Sequence, residues 1–208
     1  MIRYPYEGKD MNARDIAVAT IKQEHRSLTR VLHTMQALLN QVVSSYGSTE
    51  FGLLSAALYY VDDFQERCHH PKEDEYLFKA LRAATSEFNG ELDALEAGHV
   101  SSAHAVSQLH RYLVHYQGGS ATGLDLLKAG VDTYATQMTA HMRREEELLE
   151  RCADVISEPE WLRIADAFDE NDDPLFGGNR REAFGRLYHR LVLLAPRKLK
   201  ARLHPGEL

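Results

Sequence analysis

The 208-residue sequence predicts an all-α protein: an up-down-up-down antiparallel four-helix bundle with short C-terminal helices. Three observations lead there. Apolar residues recur at spacings of three and four through four long segments, which is the pattern of a helix that buries one stripe. Alternation of period two, the mark of a half-buried strand, is almost absent. Pro and Gly cluster at a few points, and short connections make sequential helices antiparallel neighbours.

The first helix is predicted over about residues 15–45, with a seam of Val18, Ile21, His25, Leu28, Leu32, Met35, Leu39 and Val42. Tyr46-Gly47-Ser48 ends it, with Gly as a C-cap and Ser48 or Thr49 opening the next helix. The second is predicted over about residues 50–84, with Phe51, Leu54, Leu58, Val61, Phe64 and Cys68 as its stripe, continued by Leu77 and Leu81. After a break at Thr85–Gly90, the third runs over about residues 91–117 through Leu92, Leu95, His99, Ser102, Val106, Leu109, Leu113 and Tyr116. Gly118-Gly119-Ser120 is the turn. The fourth is predicted over about residues 121–156, through Leu124, Leu127, Val131, Tyr134, Met138, His141, Glu145, Leu148, Cys152 and Val155. A short helix then starts at Ser157, an N-cap, with Pro159 in its first turn, and carries Trp161, Ile164 and Phe168. A basic amphipathic helix is expected over about residues 180–194. The expected division is a bundle over residues 1–157 and a C-terminal extension over residues 158–208 that packs on or next to it.

Composition narrows the function. The segment from Arg180 onward carries eight Lys and Arg against two acids, so the net charge of −7 leaves −13 on the first 179 residues. An acidic body argues against nucleic acid as the main partner. No stretch is long and apolar enough to span a membrane, and the N-terminus has no apolar signal core. Two cysteines make no disulfide framework, so a cytoplasmic location is expected. There is no GxSxG, no Gly-rich phosphate loop and no nucleophile with an evident base.

The informative feature is polar residues inside the seams. Burying such a group costs several kcal/mol unless it is paired or bound to metal. His25 lies 22 residues before Gly47 and His69 lies 22 after it; His99 lies 21 residues before Ser120 and His141 lies 21 after it. Antiparallel helices therefore bring all four histidines to one layer. His69 and Glu73 are spaced i, i+4, as are His141 and Glu145, so each pair can reach one point on its helix face. Imidazole with carboxylate from facing helices is the ligand mixture used for iron, manganese or zinc in bundle cores.

These residues carry a resemblance. Gln23-Glu24-His25-Arg26-Ser27-Leu28, His69-His70-Pro71-Lys72-Glu73-Asp74-Glu75-Tyr76-Leu77-Phe78, Leu95-Glu96-Ala97-Gly98-His99 and His141-Met142-Arg143-Arg144-Glu145-Glu146 resemble the four helix motifs of the hemerythrin-like (HHE cation-binding) family, over about residues 14–156. The resemblance implies a non-haem di-iron centre with oxo and carboxylate bridges, and roles in binding or sensing oxygen, nitric oxide or peroxide. Carried over, the ligands are His25, His69, Glu73, His99, His141 and Glu145, with Glu73 and Glu145 as the bridging carboxylates. Two departures matter. The second third-helix histidine of oxygen carriers is replaced by Ala103, with His104 one step off the face. Their last-helix His-x4-Asp spacing would select Glu146, whereas the seam phase favours Glu145. One metal is thus a ligand short, leaving a place for water, an exogenous molecule or His70. His70 and Glu146 are the additional candidates, and another transition metal could replace iron.

Pro71, inside a helix, is expected to kink it and free the carbonyl of Arg67, which could turn both His69 and His70 inward; the alternative is an exposed His70 paired with Asp74. His33, His104, His110, His115, His189 and His204 are expected as ordinary surface or core histidines, Tyr59, Tyr60 and Tyr134 as core aromatics, and Cys68 and Cys152 as small hydrophobes. Three readings follow. The first is a metal-binding protein that binds or senses oxygen, nitric oxide, peroxide or iron and redox state. The second is a di-iron enzyme acting on peroxide or oxygen. The third is a helical scaffold with a vestigial site. A homodimer is a candidate assembly.

Overall fold

The structure, a computed structural model, describes residues 12–41, 48–152, 154–171 and 173. Its described residues form five helical runs and no strand: α1 (Ala13–Gln41), α2 (residues 48–84), α3 (Asn89–Gln117), α4 (Gly123–Arg151) and α5 (Glu158–Asp169). The expected caps at residues 46–47, the end of the first helix and the basic helix over about residues 180–194 lie outside the described residues, as do His189 and His204.

The seams are the buried faces. The eight residues expected to line the third helix are the eight buried residues of α3, His99 and Ser102 included. In α4 the stripe from Leu127 to Leu148 is buried except for His141, which keeps a partly exposed edge. α4 ends at Arg151, five residues short of the expected end, and a turn bonded from Val155 N–H to Cys152 C=O follows it. Tyr60 and Tyr134 are buried, but Tyr59 is 48% exposed because its position lies off the stripe.

Helices α3 and α4 form a hairpin closed by Gly119, whose φ of 78° suits a residue without a β-carbon. Contacts along the pair step in opposite directions, from Tyr116 against Gly123 through His99 against His141 to Glu91 against Arg151. α1 packs on α4, α2 and α5; α2 packs on α3.

Winding changes along α2. It is α-helical over Ser48–Tyr60, π-helical over Val61–His69, α-helical over His70–Lys72, π-helical over Glu73–Phe78 and α-helical over Lys79–Ala84. The break expected at Pro71 thus takes the form of wider turns on both sides. His69, His70, Lys72 and Glu73 keep right-handed helical φ and ψ, and His70 N–H bonds five residues back to Gln65 C=O. Single π turns inside α-helices frequently mark functional sites. Here the wide turns bring His69, His70 and Glu73 to the interior of one bundle layer.

That layer divides the apolar core in two. On one side Leu28, Phe64, Val106 and Met138 belong to one cluster; on the other Ile21, Leu77, Leu95 and Leu148 belong to a second. Each fully buried Leu, Ile or Phe contributes about 1.5–3 kcal/mol. The two apolar clusters can therefore support a polar layer that is costly by itself.

Candidate metal centre

The seams deliver two groups of four ligating side chains. His25, His69, Glu73 and Glu145 form one; His70, Glu73, His99 and His141 form the other. Within each group one ligand atom per residue lies within 4.8 Å of the others. Glu73 belongs to both. Its Oε1 is 2.7 Å from His69 Nε2 and 3.6 Å from His25 Nε2, while its Oε2 is 3.3 Å from His99 Nε2. Glu145 Oε2 stands 3.4 Å from His25 Nε2 and 3.9 Å from His141 Nε2.

All six residues taken as the primary ligand set from the sequence are brought together here, and His70 joins them. Glu146 belongs to neither group: its Oε1 accepts a hydrogen bond from His25 Nδ1 at 3.0 Å. The one-residue step from 145 to 146 turns a side chain by about 100° around an α-helix, which carries Glu146 off the inward face.

Among the described residues, four of the five histidines here, all but His141, are backed by a carboxylate on Nδ1. His25 has Glu146, His69 has Glu24 at 2.6 Å, His70 has Glu66 at 3.2 Å and His99 has Asp74 at 2.8 Å. An Nδ1–H donated to a carboxylate fixes the tautomer and leaves Nε2 facing the interior, the arrangement that orients a metal-ligating imidazole. Of the two alternatives for His70 the inward one is found: the imidazole is buried, and Asp74 serves His99 instead. Glu24, Gln65 and Glu66 were not singled out by sequence reasoning. Their signal was proximity in register: Glu24 precedes His25, and Glu66 lies four residues before His70.

Burial and neighbouring charges set the protonation preferences of the site residues. Burial pushes His99 down, but Asp74 and Glu73 outweigh it and raise it to about 10. Burial likewise disfavours charge on His69, yet Glu73 and Glu24 lift it to about 9. His141 is lowered to about 3, by burial first and then by the neighbouring His99, His70 and His25, against the pull of Glu73. His99 Nε2–H therefore donates to the lone pair of neutral His141 Nε2 at 3.0 Å. Burial also lowers His70, so its Nε2 lone pair accepts from the Gln65 amide at 3.0 Å. Burial and then the charge of Glu73 raise Glu145, while His69, His25 and His99 overcome burial to hold Glu73 well below the usual range.

The chemistry of this set fits a cation. Among buried side-chain atoms without a hydrogen-bond partner are His25 Nε2, His69 Nε2 and both oxygens of Glu73 and Glu145. All belong to the same group of four, turned toward one another with Glu73 and Glu145 fully buried. Nitrogen and oxygen donors without thiolate suit iron, manganese or zinc.

Surroundings differ on the two sides. A groove of about 570 Å³ between α3 and α4 reaches Gly98, Ser102, Tyr134, Met138 and His141. At its base Tyr134 OH and Ser102 Oγ both donate to Glu66 Oε1, the carboxylate behind His70. On the side of His69, α5 lies over the centre, with Phe168 edge-on to the imidazole. His33, His104 and His115 are exposed and His110 is half-buried, all outside the two groups.

Residues 16–153, more than half of the chain, match the family model described as Hemerythrin HHE cation binding domain. No curated protein matches the chain.

Proposed function

Because this chain belongs to the hemerythrin HHE cation-binding family, we propose that it is a non-haem di-iron protein that binds or senses oxygen, nitric oxide, peroxide or redox state. The observation that carries this reading is Glu73, whose single carboxylate is common to both groups of four. A carboxylate with one oxygen toward each group suits a pair of cations sharing a bridge. His25, His69 and Glu145 would complete one position, and His70, His99 and His141 the other, so that Glu73 alone would be shared where the resemblance implied Glu145 as a second bridge. We read the helices as an up-down-up-down bundle, supported by the opposed stepping of α3 and α4. A cytoplasmic location accords with a chain whose two cysteines make no disulfide framework.

When bound, an iron pair supplies redox chemistry and an acceptor for a small exogenous ligand. The chain's own residues do the rest. Glu24, Glu66, Asp74 and Glu146 orient four imidazoles, and the apolar clusters on both sides close the layer along the bundle axis.

The test is metal content. Protein grown with iron should hold about two irons per chain and absorb in the near-ultraviolet. Absence of any stoichiometric transition metal would leave a helical scaffold with a vestigial site.

The groove that reaches His141 favours a second reading, an enzyme acting on peroxide or oxygen. Steady peroxide turnover that disappears in His141→Ala, with the fold intact, would support it. Binding of a diatomic gas without turnover would support sensing.

A further inference from the structure

The helix α5 lies beyond the residues that match the family, yet it touches the centre's supporting groups. We propose that the segment from Glu158 to Asp173 is a working part of the centre: Asn171 positions His69 through Glu24, and Phe168 seals the His25–His69–Glu73–Glu145 position against water. This rests on the di-metal reading above.

The geometry has three parts. First, one oxygen, Glu24 Oε2, accepts both His69 Nδ1–H at 2.6 Å and the Asn171 amide at 3.2 Å. Glu24 is buried, so it has few other ways to be held. The amide fixes where that oxygen stands, and so fixes the imidazole. Second, the fully buried Phe168 ring meets the His69 imidazole edge-to-face, with centroids 5.9 Å apart. Third, the segment is anchored at both ends. Ala13 N–H donates to Glu158 Oε1, Lys72 Nζ donates to Ala167 C=O and lies 3.6 Å from Glu170, and Tyr60 OH donates to the buried Asp173 at 3.2 Å. Trp161, Ile164 and Phe168 share an apolar cluster with Ile21, Leu77 and Leu81.

The consequence is asymmetry. The position of His70, His99 and His141 borders an open groove, whereas the position of His25 and His69 is roofed by a segment outside the family match. Metal in the roofed position should exchange slowly, and the roof should set that rate. Groups that support metal-ligating histidines typically change metal affinity by about 10–100-fold when removed.

The experiment uses the full chain loaded with iron(II) under anaerobic conditions, followed by transfer of iron to a colorimetric chelator. Wild-type protein should release one equivalent quickly and one slowly. Asn171→Asp keeps the shape but replaces the donor with an acceptor facing Glu24. It should speed the slow equivalent about tenfold or more and leave the fast one unchanged. Phe168→Leu should speed the same equivalent by admitting water. Melting of the metal-free variants reports any loss of packing; if Phe168→Leu fails to fold, Asn171→Asp decides. Two bound irons with slow release unaltered in Asn171→Asp would overturn this inference and leave the di-metal reading standing. No stoichiometric iron in the wild type would overturn both.

Discussion

Gly98 lies directly against the imidazole of His141: a β-carbon added at position 98 would stand 2.8 Å from His141 Nδ1. Among the described residues no carboxylate hydrogen-bonds His141 Nδ1, so close packing on a bare backbone position takes the place of such a support. Gly98→Ala should therefore push the ring away while adding about 0.5–1 kcal/mol of helix preference. The expected outcome is a metal-free protein that melts no lower than wild type, together with a loss of about half the bound metal. Calorimetry and elemental analysis check the two halves separately. Full metal content in the variant would show that His141 is not needed to hold it.

Gly123 is the opposite case. A β-carbon there would meet Tyr116 N and Cα at 2.6 Å, and backbone cannot swing aside as an imidazole can. Gly123→Ala should destabilise the fold by about 1–3 kcal/mol despite the better helix former, as overpacking does. The midpoint of denaturant unfolding measures this. Metal stoichiometry of the folded fraction should not change, because the α3–α4 turn lies far along the helices from the histidine layer.

Glu73 and Glu145 should not be equivalent. Glu73 faces both groups, and Glu145 belongs to one of them. Glu73→Gln keeps the shape and removes the shared charge, so bound metal should fall toward zero. Glu145→Gln should retain about one metal per chain. Elemental analysis of the two variants, purified in parallel, distinguishes them; equal losses would contradict a shared carboxylate.

Metal uptake should release protons. Without a cation His69 and His99 are held protonated, raised to about 9 and about 10 from an ordinary 6.5. Ligation requires both to give up those protons, so apparent affinity should rise with pH between about 6 and 9. For the metal-free fold the sign is opposite. A raised histidine contributes stability that is fully present below 6.5 and is lost as pH climbs through 9 and 10. The metal-free melting temperature should therefore decline over that upper range. Proton release in weak buffer and melting curves at stepped pH test the two statements.

The thiols should separate by reactivity. Cys152 is buried, and burial raises its thiol to about 11, so little thiolate forms near neutral pH. Cys68 is half-buried. A thiol-specific reagent at pH 8 should modify at most one cysteine in the native protein and both after unfolding. Rapid native modification of Cys152→Ser protein with none in Cys68→Ser protein would identify Cys68 as that site.

Much of the centre is legible in the sequence. His99 and Ser102 fall in phase with Leu95 and Val106, and a residue in phase with an apolar seam is carried inward whatever its chemistry. The ambiguity at residues 145 and 146 was resolvable for the same reason. His70 was left open between an inward and an exposed position, because on a uniform α-helix it stands about 100° from His69. Only wider turns on both sides of Pro71 let the two neighbours serve one layer.

The sequence alone determined the helices, their inward stripes and the level at which histidines meet, because periodicity and loop spacing are local properties of the chain. Tertiary structure decided which carboxylate stands behind which imidazole, that one glutamate faces both groups, and that Asn171 reaches Glu24 from 147 residues away. Those choices depend on the rotation of each helix about its axis and on the local pitch of α2. Packing of whole faces against one another sets both, and no short stretch of sequence encodes them.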